Sequence, residues 1–449
     1  MTQLRRTIGL GQGVSLYVGA ILGPGLLVLP GVAAEIAGPA SLVAWAALVL
    51  MSVPMALTYA ALARRYPEAG GFAAYTERAF GPILGALTGW LFYLSIPTGC
   101  AIVALIAGRY AANALGLGRE GGLIVGALLV LAAYVLNLIG LRLSGRFQIV
   151  VSAAIVLLLT VGIVGALPRV DPAAFQPFAP HGPAAVGMAA VALFWAFAGW
   201  EAITPLAEEF RDPARDIRRA TWIALVIVGA IYLALAAATV GTRSYGDPLS
   251  QAPLATMVGR SFGSAAEWTV SVLALFVSFG AIYAYVAGAS RLGYALGRDG
   301  PLPRWFATLQ PALGTPHHSL AFLFVGFVAW LGVAYALRLN EADLLPISTS
   351  SYIATYVLSM AAGVRLLSGR GRGGAIVGTV ACLLVLPFVG AVLAWVLGVT
   401  IACLAYQRWR RRDAAGPRRG PSVDLAYALE DRGRLCDQSS SAATEEEWR

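Results

Sequence analysis

The stretch Gly19-Ala-Ile-Leu-Gly23-Pro24-Gly25 lies in the middle of the first long apolar segment, residues 10–34. Pro24 has no amide hydrogen to donate and its ring clashes with the preceding turn, while the flanking glycines resist helix formation. Backbone that leaves the helix at membrane depth is tolerated only where it packs in protein or lines a cavity. We therefore predict a helix that is broken near its centre for a functional reason.

A second break is predicted in residues 184–207, which contain Phe194-Trp-Ala-Phe-Ala-Gly-Trp-Glu201. Gly199 is followed by Glu201, the only carboxylate that we place well inside an apolar segment. The two breaks fall in the first and sixth segments, at the same position in two groups of five. Paired interruptions of this kind indicate a transporter binding site. If either break is considered alone, the alternative explanation is that its glycines only allow neighbouring helices to pack closely.

The composition supports a membrane location for the apolar segments. Hydrophobic residues make up 58% of the 449 positions and charged residues 12%, against roughly 25% charged residues in soluble domains. A helix needs roughly 20 apolar residues to cross about 30 Å of hydrocarbon. Such segments lie at 10–34, 39–62, 82–111, 121–138, 147–167, 184–207, 221–241, 267–290, 319–338 and 344–366, with two shorter ones in 375–406.

These segments predict an all-α membrane protein with about twelve transmembrane helices. Because five is an odd number, the second group of five helices enters the membrane inverted relative to the first. The final pair is joined by a tight hairpin near Pro387 and Gly390. The chain order is a cytoplasmic N-terminus, two five-helix halves, helices 11 and 12, and a disordered cytoplasmic tail. Their ranges are 1–9, 10–167, 184–366, 375–406 and 413–449.

The arginines indicate the orientation. Twenty-one of them lie in segments predicted as cytoplasmic, six on the opposite side and five in the tail. This asymmetry predicts a multi-pass protein of a bacterial inner membrane with both termini in the cytoplasm. The net charge of +9 is spread over short loops. We therefore expect anionic lipid headgroups, and not nucleic acid, as the partner of this charge.

The two breaks suit an amino acid as the ligand. A half-helix N-terminus favours a carboxylate, and a half-helix C-terminus offers free carbonyl groups to an ammonium group. The amide groups of Gly23, Gly25 and Leu26 are predicted to face the carboxylate. The carbonyl groups of Val18–Ala20 and Phe197–Gly199 are predicted to face the ammonium group.

The pocket walls are predicted to be aromatic and uncharged. Apart from Arg109, Arg338 and Arg365 at span ends, no Arg, Asp or Lys lies inside a span to pair with a charged side chain, so neutral and mainly apolar amino acids are favoured. Ile96 is a further wall residue. The full predicted substrate site comprises Val18, Gly19, Ala20, Gly23, Gly25, Leu26, Trp195, Phe197, Ala198, Gly199, Trp200 and Tyr283.

Glu201 is predicted to carry a coupling proton, because an ionisable residue inside a membrane is functional by default. The alternative is a hydrogen-bonded glutamate that braces the broken helix. Ser278 in the eighth span has no adjacent Ser or Thr, so a sodium site is not predicted and proton coupling or exchange is expected by elimination. We predict no metal and no cofactor.

At these motifs the chain resembles the amino acid–polyamine–organocation permeases, over nearly all of residues 1–410. The motifs are Gly23-Pro24-Gly25, Arg65-Tyr-Pro-Glu-Ala-Gly-Gly71 with Tyr75, the Phe194–Glu201 run and the segment Glu208–Ala220. The bacterial methionine and branched-chain amino acid exporters are similar also at Gly11-Gln-Gly13, Thr88-Gly-Trp90 and Ile96-Pro97.

The resemblance implies a five-plus-five inverted-repeat fold of the LeuT type and gradient-driven secondary transport, with export of apolar amino acids. Pro24 departs from the family pattern, which usually has Ser or Thr there. Carboxylate binding must then rely on the amide groups of Gly25 and Leu26.

Three alternatives remain: an importer of the same family, a membrane enzyme and a channel. An enzyme would need a second intramembrane acid or histidine, and none is present. A channel would need a polar stripe along one helix, for which Ser348-Thr-Ser-Ser351 is too short. We therefore predict a transporter and not an enzyme, while the direction of transport and the oligomeric state are left open.

Overall fold

A computed structural model of the chain describes residues 8–67, 71–140, 145–246 and 252–414. The regular secondary structure named in these ranges consists of helices. Nine helical segments of the described chain are long and apolar enough to cross a membrane. The prediction of an all-α membrane protein is therefore confirmed.

The first predicted span is divided into three pieces. Helix α1 (Leu10–Ile21) ends where the amide of Leu22 donates to the carbonyl oxygen of Val18 at 2.8 Å. A short 3-10 turn (Pro24–Leu27) follows, and helix α2 (Leu29–Ala37) completes the span. Proline begins the turn, a position where its missing amide hydrogen has no helical partner to lose.

The next part of the first half contains one helix that sequence analysis treats as a loop. Helix α4 has 10 residues, too few to cross a membrane, and hydropathy therefore does not predict it as a span. Its Tyr75 is nevertheless fully buried. The helices of this region are α3 (Ser41–Arg65), α4 (Gly71–Phe80), α5 (Pro82–Leu115), α6 (Arg119–Leu138) and α7 (Gly145–Ala166).

The sixth predicted span is also divided. Helix α8 (Pro183–Phe197) ends at an extended Ala198, and Gly199 follows with φ of +133°. Only glycine adopts this left-handed conformation without strain. The chain continues as a 3-10 helix (Trp200–Glu209), and α9 (Arg218–Gly241) forms the next long helix.

Six further helices complete the described chain. Between α14 and α15 a 3-10 turn (Leu386–Val392) contains Gly390 with φ of +65°. This break lies within residues 375–406, the range predicted to hold two short spans. The helices are α10 (Pro253–Phe262), α11 (Ser264–Asp299), α12 (His317–Ala336), α13 (Glu341–Leu366), α14 (Gly369–Val385) and α15 (Leu393–Ala414).

Helices α5 and α13 lie at the centre of the helix assembly. Helix α5 packs against α6, α11 and α13. Buried hydroxyl groups continue along α13 well beyond the short run noted in the sequence. Polar residues in a membrane span face the protein interior, which explains why α13 is surrounded by other helices. The buried hydroxyl residues are Ser348, Thr349, Ser350, Ser351, Thr355 and Ser359.

The described chain divides into two units, one that ends at Ile401 and one that begins at Ala402. All contacts discussed below lie within the first unit. Residues 1–7 of the predicted N-terminus and 415–449 of the predicted tail lie outside the described residues.

Candidate functional site at the two helix breaks

The breaks of the first and sixth spans touch each other. A Cβ placed on Gly199 would lie 3.1 Å from Cγ1 of Ile21 and 3.2 Å from the carbonyl oxygen of Ala20. Gly199 therefore packs directly on the end of α1. Two segments that are about 180 residues apart in sequence form one structural unit, which is the juxtaposition that the paired interruptions predict.

Glu201 is buried at this junction, with 3% of its surface exposed. Its carboxylate accepts a hydrogen bond from the amide of Gly199 at 2.9 Å and another from the hydroxyl of Tyr356. The Tyr356 oxygen also lies 3.2 Å from the Gly199 amide nitrogen. In this conformation the contacts of Glu201 are those of a brace across the break, which is the alternative that sequence analysis left open.

Tyr232 on α9 links the ends of the two half-helices. Its hydroxyl lies 2.8 Å from the carbonyl oxygen of Ile21 and 2.7 Å from that of Ala196. The single hydroxyl of Tyr232 thus donates toward two carbonyl oxygens, each of which would accept a backbone amide hydrogen if its helix continued. Sequence analysis missed Tyr232, and its only signal was a tyrosine in a span that consists mostly of alanine, valine and leucine.

The carbonyl groups predicted to face an ammonium group are only partly free. Val18 accepts from the Leu22 amide, and Gly199 accepts from the Ala202 amide at 3.1 Å. Each carbonyl oxygen has a second lone pair. Gly19, Ala20 and Gly23 are half-buried, and Ala202 is exposed, so accessible surface remains beside both breaks.

The predicted carboxylate end is covered by an aromatic ring. A Cβ on Gly25 would lie 2.6 Å from Cζ3 of Trp195, so no side chain fits at this position. The Leu26 amide donates to the Gly23 carbonyl oxygen at 3.2 Å within the 3-10 turn. In this conformation the Leu26 amide is therefore engaged, and Trp195 lies on the Gly25 backbone.

Phe197 and Trp200 belong to the interior and do not line an open pocket. Phe197 packs edge-on against Tyr232 at 4.8 Å between ring centroids, and Trp200 lies 5.6 Å from Tyr17. Both side chains are fully buried. Tyr283 and Ile96 belong to a second hydrophobic cluster, and Trp195 packs against both clusters.

A group of polar side chains that sequence analysis missed lies on the other side of Trp195. A Cβ on Gly99 would lie 3.5 Å from Ser348 Oγ and 3.9 Å from both Trp195 Nε1 and Tyr352 Oη. The available signal was the Ser/Thr run on α13, which sequence analysis weighed only as evidence for a channel.

Comparison with known proteins assigns this arrangement to a family. A family model described as amino acid permease matches residues 8–422. The chain belongs to this amino acid permease family. The resemblance stated from the sequence motifs is thereby confirmed, and the match covers both helix breaks.

Several curated relatives of this permease are similar over nearly their whole length. An uncharacterized amino acid permease of Bacillus subtilis, YecA, is 36% identical over 397 residues, which is 88% of this chain and 94% of the relative. The L-methionine/branched-chain amino acid exporter YjeH of Escherichia coli is 32% identical over 395 residues, covering 87% and 93%. The mouse b(0,+)-type amino acid transporter 1 is 28% identical over 342 residues, covering 73% and 70%. These relatives are permeases and transporters, and the permease is accordingly not an enzyme.

Proposed function

We propose that this permease is a secondary active transporter of neutral, mainly apolar amino acids, and that the substrate binds at the two helix breaks. The observation that carries the proposal is the direct packing of Gly199 on Ala20 and Ile21. This junction brings half-helix ends with opposite dipoles together, which suits a zwitterionic backbone. The buried side chains that pack around the junction include Tyr17, Phe197 and Trp200.

The proposed architecture has twelve spans in a five-plus-five inverted repeat. Its halves are 10–167 and 184–366, and residues 375–406 supply the last two spans. The breaks at equivalent places support this division. The Arg distribution supports a cytoplasmic location for the N-terminus 1–9 and for the tail 413–449.

The proposed direction is export of methionine and branched-chain amino acids across a bacterial inner membrane. The support is the similarity to the Escherichia coli protein that is named as an exporter of these amino acids. Of the predicted pocket walls, Trp195 and Tyr283 are aromatic, as such side chains require.

Proton coupling through Glu201, or amino acid exchange, is the proposed energy source. Glu201 is buried, and the hydroxyl of Tyr356 donates a hydrogen bond to its carboxylate. No arginine among the described residues forms an ion pair with it. A proton is then the simplest means of neutralising the carboxylate during a transport cycle.

Two measurements test the proposed function. Counterflow in proteoliposomes across the twenty amino acids is expected to show exchange of neutral amino acids and not of arginine or glutamate. Cells that overproduce the permease and are fed methionine- or leucine-containing dipeptides are expected to accumulate less of the free amino acid. Higher uptake from the medium with unchanged accumulation would identify an importer. No exchange of any neutral amino acid would refute the proposal.

A further inference from the structure

A cavity of about 250 Å³ lies at the end of α6, away from the two helix breaks. Its lining comes from three segments: residues 137–140 at the end of α6, residues 290–294 of α11, and residues 309–316 of the loop that precedes α12. None of the lining residues belongs to the predicted substrate site. A cavity of this volume holds several water molecules and has room for a small polar group. In the proposed orientation, the three segments lie at the cytoplasmic ends of their spans.

The loop wall of the cavity is held in place by hydrogen bonds. Thr315 Oγ1 lies 3.1 Å from the carbonyl oxygen of Leu138, at the end of α6, and 3.2 Å from Oε1 of Gln310. Within the loop, the Gln310 amide donates to the Thr315 carbonyl oxygen and the Gly314 amide donates to the Gln310 carbonyl oxygen, both at 2.8 Å. The wall is therefore formed without a ligand, and a ligand that binds there does not have to order it.

Arg291 gives the cavity a positive charge that no neighbouring acid neutralises. One of its N–H groups donates to the carbonyl oxygen of Ala287 on its own helix at 2.7 Å, and a guanidinium group has five such donors. None of the described residues that line the cavity is acidic, and no carboxylate of the described chain forms an ion pair with Arg291. Tyr294, three residues further along the same face of α11, adds a hydroxyl that can donate. These donors suit a phosphate group, which arginine binds through paired hydrogen bonds.

The rim of the cavity is apolar, which favours a phospholipid over free phosphate. Leu309 and Leu313 line the loop wall and are 40% and 47% exposed. Trp305, in the same connection between α11 and α12, is also exposed, and tryptophan is typical of the membrane–water interface. Exposed leucines offer nothing to a free phosphate ion, whereas the acyl chains of a phospholipid begin close to its phosphate. Basic pockets between spans at the cytoplasmic face bind anionic lipid headgroups in this way.

We propose that the cavity between α6, α11 and residues 309–316 binds the phosphate of an anionic phospholipid. Arg291 is the main binding residue for the phosphate, and Leu309 and Leu313 contact the acyl chains. The site is separate from the two helix breaks, so its test does not depend on transport. The proposed orientation enters only in placing the lipid in the cytoplasmic leaflet.

The test is thermal unfolding of the purified full-length permease in detergent, titrated with dioleoylphosphatidylglycerol, dioleoylphosphatidylcholine or inorganic phosphate. Phosphatidylglycerol is expected to raise the melting temperature in a saturable way, and the other two are expected to raise it little at the same concentrations. Arg291→Gln removes a charge-assisted hydrogen bond and is expected to raise the half-maximal phosphatidylglycerol concentration about tenfold.

Arg304→Gln is the matched control. It removes the same charge from an exposed arginine of the same connection that does not line the cavity. The half-maximal phosphatidylglycerol concentration of Arg304→Gln is expected to equal that of the unaltered permease. An equal rise in Arg291→Gln and Arg304→Gln would show that general surface charge attracts the lipid, and it would overturn the inference.

Three further outcomes would overturn the proposed site. They are equal stabilisation by phosphatidylglycerol and phosphatidylcholine, an unchanged half-maximal concentration in Arg291→Gln, and stabilisation by inorganic phosphate as strong as that by phosphatidylglycerol, which would show a site for free anions. If Arg291→Gln does not fold, Arg291→Lys decides, because lysine keeps the charge but lacks the planar pair of donors. A higher half-maximal concentration in Arg291→Lys supports the site, and an unchanged one refutes it.

Discussion

Tyr356 donates a hydrogen bond to the carboxylate of Glu201, so that helix α13 is tied to the break in the sixth span. The same tyrosine oxygen lies 3.2 Å from the amide of Gly199. A tyrosine on the tenth predicted span thus holds both the glycine that breaks the sixth span and the acid that follows it. If the sixth span moves relative to α13, the hydrogen bond between Tyr356 and Glu201 must break.

Tyr356→Phe is predicted to destabilise the permease. The substitution keeps the ring but removes the hydroxyl, which leaves a buried carboxylate with one fewer donor at a cost of about 1–3 kcal/mol. Thermal unfolding in detergent measures the effect. Tyr335→Phe on the exposed end of α12 is the control, and it is expected to change the melting temperature little. Equal melting temperatures for Tyr356→Phe and the unaltered permease would contradict the bracing role.

Glu201→Gln is predicted to separate exchange from proton-driven transport. Glutamine retains the size of the side chain and an oxygen that accepts from Gly199, but it has no proton to release. Counterflow is expected to continue, whereas net transport driven by a pH gradient is expected to fall to the level of protein-free liposomes. Glu209→Gln, at the other end of the same 3-10 helix, is the control. Net transport by Glu201→Gln with its normal pH dependence would exclude a coupling role.

Gly25→Ala is predicted to disturb the junction. The new methyl group would lie 2.6 Å from Cζ3 of Trp195, so the indole must shift from its position. We expect a large loss of counterflow and a lower melting temperature. Gly288→Ala in α11, where a Cβ meets no atom within 4 Å, is the matched control. Normal counterflow by Gly25→Ala would show that Trp195 does not need its observed position.

Arg109→Gln is predicted to destabilise the contact between α5 and α13. Arg109 forms an ion pair with Glu341, a residue that is 1% exposed and whose second oxygen has no partner. Removing one member of a buried pair costs about 3–5 kcal/mol. The Arg109 side chain is 34% exposed, so we expect the lower end of this range.

The controls for this pair are a double substitution and an exposed pair. Arg109→Gln combined with Glu341→Gln is expected to recover part of the lost stability, because no buried charge is then left alone. Arg298→Gln, which removes the exposed pair with Asp299, is expected to cost less than about 1 kcal/mol. A similar small cost for Arg109→Gln would show that Glu341 is well solvated.

The helix breaks were predictable because their causes are local. Pro24 lacks an amide hydrogen, and Gly199 adopts a backbone angle that other residues avoid. Both effects are present in the residue type itself. The short helix α4 was harder to predict, because hydropathy averaged over a long window does not detect a short helix. The burial of the hydroxyl groups of α13 was harder to predict, because hydropathy shows that a residue is polar but not which residues it contacts.

The sequence by itself determined that this protein is an all-α membrane protein, and where two of its apolar segments break. Those properties follow from hydrophobicity, segment length and backbone chemistry, which act within a few residues. Only the tertiary structure decided that Gly199 packs on Ala20, that Tyr356 and Tyr232 hold the breaks, and that Trp195 and Ser348 meet at Gly99. These contacts join residues more than one hundred positions apart or on different helices, and such pairings are set by helix packing.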